Sequence, residues 1–546
     1  MNFTIFIITL ITILGAVLRI LSIDKAGGLW NDEYVSWAIA SIPFGKGFVQ
    51  GVFSQCHMPF YYLYLKFAML FSDNDTFLRF TSVLPSLVAI PVMYLVGKEK
   101  NKVTGLMCAL FTALSSYLVY YAQEVRFYSL LFLFSALSLY FTIRLIKKPR
   151  KRNLVGLLIA NFLILFTHTI GFVYVFFDLL FVSYKLRKLY KKFVIYTWSI
   201  TGILLLTVLP LIIKILFLSN TMSQWWTNLT FNRVLQVFCD YFTPLISPVA
   251  VVENLHGINI NSIFVIFPLL IVFIVFLASV IDKNLRYESQ IGTIALGTFL
   301  VGILASLLGK LSIEAKYIIE IYPILILIFC STIDSCNKNW FKITIFSIFF
   351  LFQFLYVFTP NYASYKERDE GNKYVAQLIK NAKLNKDDFI VLTYYPKERF
   401  EKYFDFSKYN VVQIYKGNFN WYYEPFLTSE EALKIGKEKY RATFMNALTP
   451  ISEFTGSPLI ERLNNEVYFK MKPGQKVAFI FLDSISFIDE ATFEAILMNP
   501  RMYNRAALPY LVFSNIRNEI IKTLPINARN LRFEAKGAWT LVSIEY

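Results

Sequence analysis

A series of apolar blocks, each about twenty residues long, limits what this chain can fold into. Roughly twenty helical residues cross the hydrocarbon core of a bilayer. In lipid the backbone must satisfy its own hydrogen bonds, so such blocks read as helices. They fall at 2–22, 78–97, 103–121, 127–146, 153–168, 170–184, 194–217, 261–281, 290–309, 317–334 and 341–360, about eleven spans. Composition agrees, with 56% of residues hydrophobic and 17% charged, against roughly 45–50% and about 25% in soluble domains. The first block has no basic start and ends in Leu18-Arg19-Ile20 rather than in small residues. It reads as a retained helix, not a cleaved signal.

The net charge of +17 does not point to nucleic acid, because the basic residues gather in short links between apolar blocks. With the N-terminus in the cytoplasm and the sides alternating, Lys98, Lys100 and Lys102 fall inside. So do Arg144, Lys147, Lys148, Arg150, Lys151 and Arg152, then Lys185, Arg187, Lys188, Lys191 and Lys192, then Lys283, Arg286, Lys338 and Lys342. That is the pattern that orients a membrane protein in the inner (plasma) membrane. The segment 59–72 is apolar but short. Counted as a span, it would put the basic clusters outside. It is therefore read as an interfacial or re-entrant helix on the outer surface. An odd number of spans leaves everything after about 361 outside.

The tail changes character. Strand-like runs at Phe389–Tyr394, Val411–Tyr415, Val477–Leu482, Tyr510–Phe513 and Trp539–Ile544 alternate with helical stretches. One stretch opens on a capping-box pattern, Thr428 to Glu431. The expected fold class is a polytopic α-helical membrane protein of about eleven transmembrane helices with a C-terminal extracytoplasmic α/β domain. The division is a transmembrane part, 1–360, with a long outer loop at about 23–77, and a soluble part, 361–546. The five cysteines form no CxxC or zinc spacing. Cys108 and Cys330 read as packing residues, while Cys56 and Cys239 share the outer side and are open to a disulfide.

In this topology the unusual ionisable residues collect on the outer face. Asp32 and Glu33 follow the first span, and His57 ends the same loop. Glu124, Arg126 and Tyr128 close the third span, His168 follows the fifth, and Lys310, Glu314 and Lys316 lie between the ninth and tenth. Ionisable groups at membrane depth are costly and commonly line a cavity. Each has two readings. Asp32 and Glu33 are either a solvated pair or a general base with a neighbour that raises its proton affinity. Glu124, Arg126 and Tyr128 either anchor a helix end or orient a substrate. Lys316 either snorkels to the interface or neutralises a phosphate that becomes a leaving group. His57 and His168 are either interfacial residues or part of a site. Trp225 and Trp226 read as interfacial belt residues.

The runs LWNDE (29–33), HMPFYYLYL (57–65), RFTSVLPSL (79–87), YYAQEVRFYSL (120–130) and THTIGF (167–172) resemble the polyprenyl-phosphate-dependent glycosyltransferases of the C superfold. The likeness is to the group with protein O-mannosyltransferases and the lipid A aminoarabinose transferase. The run LSIEAKYIIEIYPILILI (311–328) looks like their late span, with Lys316-Tyr317 where the family often has Arg-Tyr. The resemblance covers about residues 10–360 and implies a sugar donor on a polyprenyl phosphate at the outer leaflet. It implies Asp32 as general base, Glu124 as a second acid, and inversion through an oxocarbenium-like state. Lys316 and Arg126 would stabilise the departing phosphate. Lys for Arg keeps the charge and loses the bidentate fork. These branches imply no metal and no cofactor, whereas the oligosaccharyl transferase branch uses a divalent cation. The acceptor, whether lipid, glycan or protein, leaves no signature in the tail.

Two rival classes stay open. A transporter or flippase for lipid-linked sugars would place polar residues near the midplane of symmetric halves. A non-catalytic membrane scaffold would leave Asp32, Glu33 and Glu124 without a role.

Overall fold

The fold is described from a computed structural model. It describes residues 3–21, 23–54, 58–187, 190–213, 231–242, 260–307, 313–336, 338–358, 371–393, 397–414, 457–482, 520, 524, 529–536 and 539–545. The stretches around Thr428 and Tyr510, and Cys56, His57, Trp225, Trp226 and Lys310, lie outside the described residues.

The apolar blocks form helices: α1 (Phe3–Ile20), α5 (Asp75–Lys98), α8 (Tyr128–Lys147), α9 (Lys151–Thr167), α10 (Gly171–Leu186) and α11 (Lys191–Ile213). Between the first two lie α2 (Asn31–Ser41), α3 (Lys46–Ser54) and α4 (Pro59–Met69), and α6 (Lys102–Leu114) and α7 (Ser116–Ala122) precede α8. Later come α12 (Phe231–Phe242), α13 (Ile260–Ile281), α14 (Arg286–Leu307), α15 (Tyr322–Ser335) and α16 (Asn339–Val357). Among the described residues five helices, or six if one bent pair counts as a single span, are long and apolar enough to cross a membrane. Helix α4 has 11 residues, about 16 Å at 1.5 Å per residue, roughly half the hydrocarbon thickness. It packs on α2, α5 and α9.

Two expected spans are broken. The block at 103–121 bends by 54° between α6 and α7. Ser115 sits at the break with ψ 115° and caps α7, its Oγ accepting from the Leu118 N–H at 3.4 Å. The carbonyls of Thr112 and Ala113 that the break releases both accept from Arg19, at 2.8 Å. A cation at a helix C-terminus suits the dipole there, and a buried guanidinium needs such acceptors. Arg19 also donates to Ser86 Oγ at 2.7 Å, so α1, α5 and α6 are tied at one point. The block at 317–334 starts as a 3₁₀ turn, Ala315–Ile321, and becomes helical at Tyr322. Pro323 stands in the first turn of α15, which it tolerates only there. Ile318, at φ −126° and ψ 29°, marks the kink.

The basic links meet at the far end of α5. Arg144 Nη1 reaches Glu99 Oε1 at 3.0 Å, Lys342 pairs with Asp334 at 3.5 Å, and Lys100 donates to the Ser331 carbonyl at 2.9 Å. Between α8, α9 and α10 a buried polar knot joins Asp178 to Thr142 at 2.7 Å and to Ser138 at 3.2 Å. Such a knot sets the helix register because each member satisfies another.

Among the described residues beyond α16, the chain builds a five-stranded sheet in the order β2-β1-β3-β5-β4. The strands are β1 (Phe389–Leu392), β2 (Asn410–Gln413), β3 (Lys476–Leu482), β4 (Arg529–Lys536) and β5 (Trp539–Glu545). β1 runs parallel to β2 and β3, and β5 runs antiparallel to β3 and β4. Side chains alternate across the sheet as strand geometry requires. Ile390 and Leu392 face the helix α17 (Asn372–Asn381), and Phe389 and Val391 face α18 (Ser457–Glu466). Four strands lie where the strand-like runs were expected. β4 was not expected: its run RNLRFEAK is an exposed edge with no apolar period.

The sheet unit rests on the loop after α1. The backbones of Gly27 and Gly371 touch so closely that a Cβ on Gly371 would lie 2.4 Å from the Gly27 carbonyl oxygen. Only glycine allows that approach. Lys373 N donates to the Gly27 carbonyl at 2.9 Å, and Lys402 Nζ donates to the Asp73 carbonyl at 2.8 Å.

Candidate active site

Helix α2 carries two adjacent carboxylates with opposite fates. Glu33 is fully buried. Arg79 on α5 meets it with two parallel contacts, Nε to Oε1 and Nη2 to Oε2, both 2.9 Å. The Val125 N–H donates to Oε1 at 3.1 Å, and the Trp30 N–H donates to Oε2 at 3.3 Å. Burial works against this carboxylate. Arg79 and Lys25 outweigh it, with the Arg79 and Val125 hydrogen bonds adding, and its pKa falls from 4.5 to about 2. A carboxylate held so firmly ionised and fully occupied is a poor proton acceptor. Glu33, expected with Asp32 and Glu124 among the catalytic residues, has both carboxylate oxygens engaged by four donors. It bolts α2 to α5 and to the turn before α8.

Asp32 precedes it and is half-buried. Its backbone carbonyl accepts from Ser36 Oγ at 2.9 Å and from Arg126 Nη1 at 3.4 Å. Among the described residues no hydrogen bond engages its carboxylate. Its place in the first turn of α2 gives it the positive end of the helix dipole.

Arg126 lies between α7 and α8, nearly buried, and donates to Ser36 Oγ at 3.2 Å. Burial disfavours its charge. The Tyr128 hydroxyl, then Asp32 and Tyr62, outweigh that and raise its pKa further. The guanidinium lies 5.3 Å from the Phe127 ring centroid and 5.8 Å from that of Tyr128. The Tyr128 hydroxyl is the meeting point, because the charges of Arg126, Lys316, Asp32 and Glu124 all act on it. Tyr317 in turn senses Lys316, Glu314, Tyr128 and Asp32. Residues read from three distant parts of the sequence thus share one electrostatic neighbourhood. Glu124 is buried at its edge.

Lys316 stands in the 3₁₀ turn before α15, about one-fifth exposed, with Nζ 2.9 Å from Glu314 Oε2 and 5.0 Å from the Tyr317 ring. His168 is buried at the turn between α9 and α10. Its ring stacks on Phe127 at 4.9 Å and its Nδ1 lies 3.1 Å from Glu320 Oε1. It braces the Arg126 segment against the Lys316 turn. Glu320 Oε2 is buried with no hydrogen-bond partner among the described residues.

Sequence reasoning missed Arg79 and Glu320. Both were visible as charges inside apolar blocks, a signal for a built polar contact. Among the described residues no group of three or more His, Cys, Asp or Glu is arranged to hold a metal ion.

Residues 57–213 match the sequence profile of a family described as dolichyl-phosphate-mannose-protein mannosyltransferase. That stretch contains four of the runs on which the resemblance was read, those starting at His57, Arg79, Tyr120 and Thr167. No curated protein matches the sequence. Among solved structures, the chain is similar to ArnT from Cupriavidus metallidurans bound to undecaprenyl phosphate, at 12% identity and TM-score 0.49, over 98% of this chain and 97% of that one. It is also similar to the Archaeoglobus fulgidus oligosaccharyltransferase in complex with Zn and sulfate, at 11% identity and TM-score 0.44, over 73% of this chain and 61% of that one.

Proposed function

We propose that the chain is a membrane glycosyltransferase that moves a sugar from a polyprenyl-phosphate donor to an acceptor on the outer face of the membrane. Asp32 is the general base that takes the proton of the acceptor hydroxyl or amine. The acceptor attacks the anomeric carbon with inversion, the glycosidic bond to phosphate breaks, and the lipid phosphate leaves. Lys316 and Arg126 stabilise the charge that grows on that phosphate, the kind of preorganised electrostatic help that contributes most in a site shielded from water. Tyr128 orients the donor between them, and Glu124 is the second acidic residue. His57 is assigned to the donor side by its motif alone. The residues named before position 360 form the transmembrane part, of about eleven helices. The N-terminus is cytoplasmic, and residues 361–546 form an extracytoplasmic α/β domain.

One observation carries this reading. A carboxylate with no hydrogen-bond partner among the described residues, Asp32, shares its surroundings with two cations, Arg126 and Lys316. A base beside phosphate-binding cations is what inverting transfer from a sugar phosphate needs. The family profile over 57–213 supports the same donor class.

The test uses purified protein in lipid nanodiscs, labelled polyprenyl-phosphate sugars and crude membrane extract as acceptor. Label leaving the polyprenyl lipid only when protein and extract are both present supports transfer. Label that changes leaflet without leaving the lipid would mark a flippase instead.

A further inference from the structure

The catalytic loop is held from two sides, and the proposed chemistry uses only one of them. On the membrane side Arg79 grips Glu33. On the other side the sheet unit grips Leu29, the last residue before Trp30 and α2. The Leu29 N–H donates to the Tyr403 hydroxyl at 2.8 Å, and its carbonyl accepts from Asn372 Nδ2 at 3.1 Å. The same Tyr403 hydroxyl donates to Asp75 Oδ2 at 2.9 Å, at the first residue of α5. One phenol therefore joins the sheet unit, the loop and the membrane helix that carries Arg79. Arg399 Nε donates to Asn372 Oδ1 at 2.8 Å and keeps that amide turned toward Leu29. Two residues past Asp32, the Tyr34 hydroxyl donates to the Glu398 carbonyl at 3.0 Å. Lys402 Nζ covers the Trp37 ring at 4.5 Å.

We infer that Tyr403 is a positioning residue for Asp32, and that the C-terminal sheet unit acts as a latch that sets the geometry of the base on α2. This rests on the reading of Asp32 as the base. The physical ground is preorganisation. Asp32 lies three residues from a backbone unit pinned at both its N–H and its C=O, and beside a side chain pinned by four donors. The loop of ten residues, 21–30, between α1 and α2 carries Gly27 and Gly28 and has little stiffness of its own. Gly28 sits at φ +71° against the Tyr403 ring, where an added Cβ would come within 2.9 Å of the hydroxyl. The loop backbone is thus shaped to receive that tyrosine. An error of about 1 Å in a catalytic group costs on the order of a hundredfold in rate, so a latch at this point controls turnover without touching substrate.

The experiment compares the full-length protein with Tyr403→Phe, which keeps the ring and removes both hydrogen bonds. A second variant, Gly371→Ala, pushes the sheet unit off Gly27 by contact alone. Lys397→Ala is the control, on an exposed ion pair of the same unit. Two readouts are taken in nanodiscs: backbone hydrogen exchange of peptides covering 27–37, and steady-state transfer kinetics. Faster exchange at 27–37 in both variants, with kcat down roughly ten- to a hundredfold and donor KM within about twofold, supports the latch; the control should match the wild type. Unchanged exchange and unchanged kcat overturn it. A loss carried by donor KM alone also overturns it, because the latch would then serve donor binding. If the wild type transfers no sugar, the transferase reading fails, and the exchange result alone decides whether Tyr403 orders the loop.

Discussion

Arg79 holds Glu33 through two parallel contacts of 2.9 Å, and neither side chain reaches solvent. Breaking a buried pair by removing one partner costs about 3–5 kcal/mol, because the other charge is left in a medium that cannot solvate it. Glu33→Gln should therefore lower the thermal unfolding midpoint of the detergent-solubilised protein markedly, and Arg79→Ala more so. Asp32→Asn, on a half-buried carboxylate with no bond to lose, should leave that midpoint nearly unchanged. Equal destabilisation by both carboxylate variants would contradict the division of labour between them.

The same pair predicts an acid limit. The Glu33 carboxyl has its pKa lowered to about 2 in the folded protein. A depressed carboxyl contributes stability that is fully present above its unfolded value and is lost as pH falls through its folded one. Stability should hold from neutral pH down to about 4.5 and decline between there and about 2. Unfolding scans across that range should show the decline in the wild type and a smaller one in Glu33→Gln.

His168 and Glu320 tie the turn after α9 to the turn that bears Lys316. His168→Ala removes the partner of Glu320 Oε1 and leaves that buried oxygen unpaired, at a cost of about 1–3 kcal/mol. Because the pair acts as one brace, the double variant His168→Ala with Glu320→Ala should cost less than the sum of the two single ones. Additive losses in a thermal-shift cycle would show that the two residues act apart.

Lys316 and Arg126 are expected to serve the donor phosphate. Loss of one preorganised charge of this kind costs roughly a hundred- to a thousandfold in kcat. Lys316→Ala should fall in that range, and Lys316→Arg should retain most turnover, since the charge is kept. Full turnover in Lys316→Ala would remove it from the site.

Much of this was legible in the sequence, and the reasons are physical. Apolar blocks and basic links are forced by lipid, so the helices and the end where Arg144, Lys100 and Lys342 gather could be read directly. The apolar runs of β1, β3 and β5 were readable because a sheet buried on both faces makes its strands continuously apolar. What failed depends on contacts between distant segments. Nothing local in Asp32-Glu33 says which carboxylate will be sealed; Arg79, forty-six positions away, decides it. The break at Ser115 needs Arg19, on another helix, to donate to the two carbonyls it frees. Nothing local in the run around His168 shows that Glu320, far along the chain, stands opposite its ring.

The expected orientation has its own check. A reporter fused after residue 370 should be active only on the extracytoplasmic side, as the contact between Gly371 and Gly27 places that point beside the first loop. Cytoplasmic activity would overturn the topology and the outer-face site together.

The central claim is that the Asp32 carboxylate takes the acceptor proton. The measurement that meets it most directly is single-turnover transfer from a labelled polyprenyl-phosphate sugar in nanodiscs, comparing wild type with Asp32→Asn at equal folded protein and saturating donor. The account predicts that the variant binds donor normally, unfolds at the wild-type temperature and transfers at least about a hundredfold more slowly. Transfer by Asp32→Asn at the wild-type rate would contradict it.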